Sequence, residues 1–258
     1  FALTEPGAGS DAGAVSCRAE KVEGGYILNG TKCFITNAPI ADKITLFANT
    51  REGGGIRGLT VFLVDADTKG ISIGKEEDKM GIRASATAEI IFEDCFVPDS
   101  ALVGKEGRGF MIAMQTLQMS RPVVAAISVG IAQAAIEAAV AYSHHRKQFG
   151  VKIATFEMVQ QMIADMVMKT EAARILTYKA CVAQMNKDKK AGLYSAMSKC
   201  FASDTAMEVT TTAVQVMGGN GYSRENPVEK YMRDAKIMQI YEGTNQVQRL
   251  VIANETTF

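Results

Sequence analysis

The sequence has no tryptophan, only five prolines and two histidines among its 258 residues, and no excess of charge of either sign, with 28 basic and 28 acidic side chains. A formal net charge of zero leaves no overall field to attract nucleic acid or an anionic membrane. No stretch approaches the roughly 18 uninterrupted apolar residues of a membrane-spanning helix. The 47% of hydrophobic residues excludes disorder and is enough for one large domain or two ordinary ones.

Cysteine and histidine are too scattered for a disulfide framework or a zinc site. The two histidines are the adjacent pair His144 and His145, and no Cys-x-x-Cys motif occurs. We expect all five cysteines to be reduced residues in a reducing compartment. They are Cys17, Cys33, Cys95, Cys181 and Cys200. Because the chain begins at Phe1, without Met and in mid-pattern, we also expect a fragment or a processed product that lacks the end where a targeting signal would be judged.

The first hundred residues alternate between apolar and polar side chains and are punctuated by glycine, asparagine and aspartate. This pattern predicts strands, with a hairpin turning at Asn29-Gly30 between Tyr26–Leu28 and Lys32–Ile35. Further strands are predicted at Ile44–Ala48, Leu59–Val64, Ile71–Ile73 and Ala88–Phe92. No helix-length segment interrupts them, so we expect an antiparallel β-barrel or sandwich domain over residues 1–105.

From residue 106 the apolar residues recur with the period of a helix. Pro122 is predicted to start or kink the first long helix. Helices are predicted over Phe110–Tyr142, Glu157–Asn186, Leu193–Met217, Pro227–Ile237 and Thr244–Ala253. Long helices joined by short polar turns predict an up-and-down four-helix bundle over residues 106–258, and the chain is therefore α+β and multidomain.

Four short segments each allow a structural and a functional interpretation. Thr4–Asp11 fits a plain β-turn better than a ligand loop, and Gln215–Tyr222 fits a helix-capping loop better than a ligand contact. Arg146–Gly150 offsets a helix C-terminus or holds a phosphate. Glu242, a lone carboxylate between apolar neighbours and a glycine, is a helix N-terminal charge or a general base.

Taken together, these segments resemble the acyl-CoA dehydrogenase family. The order and spacing are similar to those of the middle and C-terminal domains of short- and medium-chain, butyryl-CoA dehydrogenase-like members, without the N-terminal helical domain. The matching stretches are Leu3–Asp11, Phe34–Asn37, Arg146–Gly150, Gln215–Tyr222 and Tyr231–Lys236 running into Ile240–Thr244. They cover nearly the whole chain.

The resemblance implies FAD as the cofactor, held by residues of both domains and of a second subunit. In the β-domain, Thr4 and Thr36 would contact the flavin ring. The complete implied set of FAD contacts is Phe1, Leu3, Thr4, Ser10, Phe34, Ile35, Thr36, Arg146, Gln148, Phe149, Gln215, Gly218, Gly219, Thr244 and Gln246. At Phe156-Glu157 the chain departs from the family pattern near one FAD contact.

The resemblance also implies the reaction: Glu242 removes the α-proton of a short- to medium-chain acyl-CoA, FAD takes the β-hydrogen, and the trans-2-enoyl-CoA is formed. Some relatives carry the base on the first helix of the C-terminal domain, where this chain has Ser120. Gln118 replaces an aspartate that contacts CoA in many relatives. The implied substrate residues are Ser10, Gln118, Arg121, Tyr241 and Gly243.

Electron-transfer flavoprotein is the implied electron acceptor, and a homotetramer, a dimer of dimers, is the implied assembly. The alternatives are an enoyl-CoA reductase that runs the reaction in reverse and a truncated non-catalytic remnant. An oxidase is a weaker alternative, because oxygen access depends on the packing around the flavin, which the sequence does not show. A DNA-binding relative fits less well, since the net charge is zero and Glu242 is present. The compartment would be the cytoplasm of a bacterium or the mitochondrial matrix of a eukaryote.

Overall fold

The computed structural model describes residues 1–257, which form two compact units. The first, here called the β unit, comprises Phe1–Lys79 and Arg83–Thr116. The second, the helical unit, comprises Met80–Ile82 and the residues from Leu117 onward. This is the α+β architecture that the two hydrophobic periods predict.

The β unit is built on one mostly antiparallel sheet. Its strands are β1 (Arg18–Val22), β2 (Gly25–Thr36), β3 (Lys43–Asn49), β4 (Leu59–Asp65), β5 (Ile71–Glu76), β6 (Thr87–Pro98) and β7 (Leu102–Val103). The order across the sheet is β5-β6-β2-β1-β3-β4-β7. Only β1 and β3 pair in parallel, through a single register position, Arg18 with Asn49. Single turns of 3-10 helix lie at Ala12–Ala14, Ala38–Ile40, Gly55–Arg57 and Asp99–Ala101.

The predicted hairpin at Asn29-Gly30 is wrong. β2 runs without interruption from Gly25 to Thr36, and the turn lies earlier, at Glu23-Gly24 between β1 and β2. Gly30, with φ +146°, instead marks a shift in the register between β2 and β6. A Cβ at Gly30 would lie 2.8 Å from the Cα of Cys17, so the glycine allows a close approach of two backbones inside the sheet.

The core of the β unit follows from the alternation along its strands. Leu28, Leu46, Phe62 and Ile90 are fully buried, each from a different strand. Burial of such side chains contributes about 1.5–3 kcal/mol each, which makes this face of the sheet the main source of the unit's stability. The sheet thereby provides a rigid support for the segments at its edges.

The helical unit contains the long helices that the 3.6-residue period predicts. They are α1 (Gly109–His145), α2 (Glu157–Met185), α3 (Ala191–Met217), α4 (Gly219–Tyr222), α5 (Val228–Met238) and α6 (Asn245–Thr257). Residues 109–116 of α1 group with the β unit. A two-stranded hairpin, β8 (Lys147–Gln148) with β9 (Val151–Lys152), and a 3-10 turn at Ile153–Thr155 connect α1 to α2.

Pro122 lies inside α1, and the helix continues through it. A proline has no N–H to donate, so the carbonyl of the residue four positions earlier, Gln118, is left without its helical partner. The side chain of Gln184 on α2 supplies the missing donor at 3.0 Å. Pro122 therefore neither starts nor ends the helix, and it opens a backbone acceptor to a neighbouring helix.

Alanines pack the helices of this unit closely. Ala132, Ala135 and Ala139 on α1 are buried together with Ala206 and Ala213 on α3. By length and composition α1 could cross a membrane, and 44% of its most apolar window is buried inside the protein. This is weak evidence for a membrane span. All five cysteines are free.

Candidate active site

The amino-terminal residues of the β unit are fixed between two strands. The Ala2 N–H donates to the Thr45 carbonyl at 2.8 Å, so the segment runs parallel to β3. The Cys33 N–H of β2 donates to the Thr4 carbonyl at 3.0 Å. The predicted cofactor residue Thr4 is thus held next to the strand that carries residues 34–36.

A buried ion pair anchors this segment. Lys32 and Glu5 have side chains 0% and 2% exposed, and Lys32 Nζ donates to Glu5 Oε1 at 2.7 Å and to the Leu3 carbonyl at 3.0 Å. Glu5 also accepts from Ser16 (N–H 2.7 Å, hydroxyl 2.6 Å) and from the Cys17 N–H at 2.9 Å. Burial alone raises the pKa of Glu5, but the charge of Lys32 and the hydrogen bonds from Lys32 and Ser16 outweigh it, so its pKa lies below the usual value.

The loop after Glu5 contains glycines that the chain itself does not require. Glu5 and Ala8 exchange two backbone hydrogen bonds of 3.1 Å around a tight turn, in agreement with the β-turn interpretation. Gly7 and Gly9 have no positive φ, and a Cβ on either would meet nothing within 4 Å. Neither conformation nor packing explains these glycines, so room is left for another group to approach the backbone. Ser10, a predicted cofactor and substrate residue, is exposed beside them.

The end of β2 presents an aromatic ring in an unusual backbone conformation. Phe34 has φ +55° and its side chain is 63% exposed, although a left-handed aromatic residue is strained. Ile35 is buried and Thr36 is exposed. Phe1 packs on the Phe47 ring, with the centroids 4.8 Å apart. Phe1, Ile35 and Thr36 line an open cleft of about 370 Å³ in the β unit.

In the helical unit the Glu242 carboxylate reaches α1 from the segment between α5 and α6. We call residues 240–244 the Glu242 turn. The Ser120 hydroxyl on α1 donates to Glu242 Oε2 at 2.5 Å. Glu242 and Gly243 both adopt left-handed backbone conformations, with φ +57° and +86°. A Cβ at Gly243 would lie 2.5 Å from Gln248 Nε2, so only glycine fits there.

The Glu242 turn offers donors as well as a carboxylate. Within residues 1–257, the N–H groups of Glu242, Gly243 and Thr244 have no acceptor. Unpaired backbone N–H groups beside a carboxylate can polarise a carbonyl whose neighbouring carbon loses a proton. The turn therefore combines the two functions that α-proton removal needs.

Arg121 is a buried cation with spare hydrogen-bonding capacity. It is 7% exposed, and its one hydrogen bond in the described chain is a long one, 3.5 Å from Nε to the Glu242 carbonyl. Burial lowers its pKa, and the charge of Glu242 partly offsets this. Burial has the opposite effect on Tyr241 and raises its pKa. The Tyr241 hydroxyl lies 3.0 Å from the sulfur of Met238. Gln118 instead lies with its amide nitrogen beside Gly192 and makes no hydrogen bond to the Glu242 turn.

The start of α6 forms a second cleft, about 470 Å³ in volume, beside the Glu242 turn. Thr244 caps the helix by accepting from the Val247 N–H at 3.2 Å, and the exposed Gln246 follows it. Lys236, Arg249 and Asp204 line the same cleft, and Arg249 pairs with Asp204 at 2.7 Å, so Lys236 is the cation without a carboxylate partner in the described chain. A helix N-terminus with neighbouring cations suits a phosphate or another anion.

The other predicted cofactor residues of the helical unit are all exposed. Arg146, Gln148 and Phe149 lie on the β8–β9 hairpin, where Phe149 is 95% exposed. Gln215 is exposed near the end of α3, and Gly218, with φ +60°, ends that helix. These residues face away from their own unit, so a ligand or a second chain has access to them.

Two residues of the Glu242 turn's surroundings were missed by the sequence interpretation. Lys199 on α3 and Gln248 on α6 are both 0% exposed, and both donate to the carbonyl of Gly243, at 2.8 and 3.0 Å. One signal was available for Lys199: it continues the four-residue spacing Ala191–Ser195 on the buried face of α3, where a lone lysine is out of place. For Gln248 the sequence gave no comparable signal.

Two protein-family models together match nearly the whole chain. The model of the acyl-CoA dehydrogenase middle domain matches residues 1–95, and that of the acyl-CoA dehydrogenase C-terminal domain matches residues 107–256. The chain belongs to the acyl-CoA dehydrogenase family. FAD is the cofactor of this family.

The relatives of the chain agree with this family assignment. It is 49% identical to the probable acyl-CoA dehydrogenase FadE25 of Mycobacterium tuberculosis over 98% of its own length and 65% of that protein's. It is 48% identical to the butyryl-CoA dehydrogenase of Megasphaera elsdenii, with a TM-score of 0.98, over 100% of this chain and 67% of the other. A chain in a structure of the electron transferring flavoprotein of Acidaminococcus fermentans, studied for flavin-based electron bifurcation, is 52% identical, with a TM-score of 0.97 and the same coverage.

The residues present fit the family's cofactor. A flavin ring needs a flat apolar cover and hydroxyl or N–H donors, which Phe34, Thr4 and Thr36 supply in the β unit. A diphosphate needs positive charge and helix N-terminal N–H groups, which Lys236 and the start of α6 supply. Gly219 also has no positive φ and no atom within 4 Å of its hypothetical Cβ, so its backbone is open to close approach.

Proposed function

We propose that the protein catalyses the α,β-dehydrogenation of a short- to medium-chain acyl-CoA to the trans-2-enoyl-CoA, with FAD as cofactor and Glu242 as catalytic base. The observation that carries this proposal is the pairing, in one turn, of the Glu242 carboxylate with the unpaired N–H of the same residue. Family membership and the 48% identity to butyryl-CoA dehydrogenase support the substrate class.

The chain's own residues prepare the acyl thioester for loss of a proton. The Glu242 N–H donates to the thioester carbonyl and stabilises the negative charge that develops on its oxygen. The Glu242 carboxylate accepts the α-proton, and Ser120 fixes the carboxylate on the α1 side. Arg121, with free N–H groups, binds a carbonyl or phosphate oxygen of the CoA portion, near Tyr241 and Gly243. FAD supplies the two-electron oxidation of the Cα–Cβ bond.

We assign the cofactor contacts to both units. Phe1, Leu3, Thr4, Ser10, Phe34, Ile35 and Thr36 of the β unit would hold the flavin portion, and Thr244 and Gln246 the phosphates. The exposed set formed by Arg146, Gln148, Phe149, Gln215, Gly218 and Gly219 would hold the FAD of a second subunit. The exposure of this set, together with the unexplained glycine at 219, supports this assignment.

An anaerobic absorption spectrum of the purified protein tests the reaction. We expect flavin bands that bleach when butyryl-CoA is added, and bleaching by octanoyl-CoA at a rate that begins to define the preferred chain length. A flavin spectrum that neither thioester bleaches would contradict the proposal. A colourless protein that takes up no added FAD would indicate the non-catalytic remnant.

Substitution Glu242→Gln tests the base. The amide is nearly the same size but accepts no proton, so we expect bound FAD and a rate of bleaching reduced by about 10²–10⁴-fold. Glu23→Gln, the same change in the exposed turn between β1 and β2, is the control and should bleach normally. Normal bleaching in Glu242→Gln would remove Glu242 from the mechanism.

We propose electron-transfer flavoprotein as the electron acceptor, because a chain 52% identical to this one occurs in structural work on such a flavoprotein. The same residues serve enoyl-CoA reduction, since each step is reversible. Mixing the substrate-reduced protein with oxidised electron-transfer flavoprotein should return the flavin bands; supplying crotonyl-CoA and a reduced dye measures the reverse direction.

Bacterial and mitochondrial relatives and five free cysteines support a reducing compartment, the bacterial cytoplasm or the mitochondrial matrix.

A further inference from the structure

The backbone of the Glu242 turn is held in a conformation that it does not favour by itself. Glutamate at φ +57° is disfavoured by contact between its Cβ and its own backbone, and the next residue, Gly243, is left-handed too. Such conformations persist only where surrounding groups determine them. The hydrogen bonds of the Glu242 turn identify the groups that hold it in this conformation.

Three buried side chains donate hydrogen bonds to the carbonyl groups of Glu242 and Gly243. The Glu242 carbonyl accepts from Gln248 Nε2 at 3.2 Å and, at 3.5 Å, from Arg121 Nε. The Gly243 carbonyl accepts from Gln248 Nε2 at 3.0 Å and from Lys199 Nζ at 2.8 Å. The Lys199 bond is the shortest of the four, and its donor comes from a separate helix, α3.

Burying the ammonium group of Lys199 costs free energy that packing alone would not require. Lys199 is 0% exposed and forms no ion pair in residues 1–257, and its second hydrogen bond goes to the amide oxygen of Asn245 at 2.9 Å. An apolar side chain of similar length would fill the same space without the cost of burying an ammonium group. Packing therefore does not explain the lysine, whereas its contact with the Glu242 turn does.

We propose that Lys199 is a positioning residue for the base: its hydrogen bond to the Gly243 carbonyl holds the left-handed backbone that presents the Glu242 carboxylate and N–H together. The inference rests on the proposed role of Glu242. Gln248 shares the same carbonyl and acts with Lys199. Fixing the Gly243 carbonyl fixes the peptide that follows Gly243, and with it the exit of the turn into α6.

The surroundings of Lys199 make this contact sensitive to pH. The pKa of Lys199 is lowered to about 8, mainly by burial and also by the charge of Arg121, while Cys200, Asp204 and Glu242 act in the opposite direction. Because the pKa of Cys200 is raised and that of Asp204 is lowered, neither changes its charge near pH 8. Above about pH 8 the ammonium group becomes an amine, whose hydrogen bond to a carbonyl is about half as strong.

Hydrogen exchange of the FAD-loaded protein, followed by mass spectrometry on peptides covering residues 240–248, tests the proposal without relying on turnover. In Lys199→Met we expect the hydrogen-bonded amides of this segment, such as those of Asn245 and Gln248, to exchange about tenfold faster. Met166→Ala, a change in the buried face of α2, is the control for general destabilisation and should leave the segment protected. Equal protection in wild type and Lys199→Met would overturn the proposal.

The kinetics of flavin bleaching distinguish a positioning role of Lys199 from a purely structural one. For Lys199→Met we expect the maximum rate of flavin bleaching by butyryl-CoA to fall about 10–100-fold, because misplacement by 1 Å costs about that much. The butyryl-CoA concentration for half-maximal rate should change less than about threefold, since uniform binding is intact. A variant whose folded fraction bleaches at the wild-type rate would contradict the proposal. If the wild type does not bleach, the proposed function fails, and hydrogen exchange still decides the role of Lys199.

If Lys199→Met does not fold, the wild-type protein provides the test. After correction for the intrinsic pH dependence of exchange, protection of residues 240–248 should fall as pH rises through about 8, while protection of α2 stays constant. Protection that is constant from pH 7 to pH 9 would overturn the proposal.

Discussion

At the scale of single residues, some glycines are required by the fold of the chain itself, whereas others leave room for a ligand. Gly243 is required by its own fold, since a Cβ there would collide with Gln248 and its φ is +86°. Gly219 is required by neither conformation nor packing within the described chain. We infer that Gly219 is kept free for the cofactor or the subunit that carries it.

Gly219→Ala should therefore weaken FAD binding without destabilising the fold. We expect the free energy of unfolding of the apoprotein to change by no more than about 0.5 kcal/mol, as for ordinary surface changes. The dissociation constant for FAD should rise, measured by flavin fluorescence during titration. Gly130→Ala, an exposed position in α1 that is equally free of neighbours, is the control and should bind FAD normally. Unchanged FAD affinity in Gly219→Ala would refute the inference.

Residue types and their local spacing singled out Glu242 and the motif-bearing loops, and the family resemblance added Arg121. They did not reveal that Ser120 binds the Glu242 carboxylate, although Ser120 lies directly before Arg121. The two partners are 122 positions apart in the chain. A serine inside a helix is commonplace, and only the folded structure shows which side chain meets it.

At the scale of elements, the buried pair of Glu5 and Lys32 attaches the amino-terminal segment to β2. A charge left alone after removal of its buried partner is strongly destabilising. The same pair holds Thr4 next to residues 34–36, so stability and the candidate flavin site depend on one contact.

Glu5→Gln should destabilise the protein by about 3–5 kcal/mol at pH 7, because Lys32 would be left buried without a countercharge. Since the pKa of Glu5 is lower in the folded than in the unfolded state, its stabilisation is complete above the unfolded pKa and is lost as pH falls through the folded one. Urea unfolding between pH 7 and pH 3 should show wild type and Glu5→Gln converging at low pH. The double variant Glu5→Gln/Lys32→Met should recover part of the loss; no recovery would argue against an isolated charge as the cause.

The strand β2 shows where a local sequence pattern predicted the wrong element. Asn29-Gly30 is typical of a hairpin turn, but β6 pairs with β2 on both sides of it, and the strand continues. Long-range pairing outweighs a local turn preference because it satisfies more backbone hydrogen bonds. The prediction that Pro122 could start a helix is wrong for a similar reason: Gln184 on another helix compensates for the bond that the proline removes.

At the scale of the whole molecule, α2 carries an apolar surface that its own unit leaves exposed. Its exposed residues Met168, Ile175, Tyr178, Val182 and Met185 are spaced by seven, three, four and three positions. This is the heptad spacing of a helix that packs on another helix. We call these five residues the α2 stripe, and we propose that the protein is a homotetramer to whose interfaces this stripe contributes.

Ile175→Glu should weaken assembly, because it would place a charge in the middle of the α2 stripe. We expect light scattering to give a tetramer for the wild type and a smaller species for the variant at micromolar concentration. Thr211→Glu adds the same charge to an exposed position of α3 and should leave the mass unchanged. A wild-type monomer with a full complement of FAD would contradict both the stripe's role and the sharing of FAD between subunits.

Hydrophobic period and glycine placement by themselves determined the two-part architecture, the helices and most strands, because each of these is encoded in neighbouring or regularly spaced residues. Motif order, through the resemblance that it carries, determined the family and predicted Glu242 as the base. Only the tertiary structure decided which side chains hold the Glu242 turn. Ser120 and Lys199 meet the Glu242 turn from 122 and 44 positions away. Their contacts arise when helices pack, and no local pattern specifies which buried side chain will face which carbonyl.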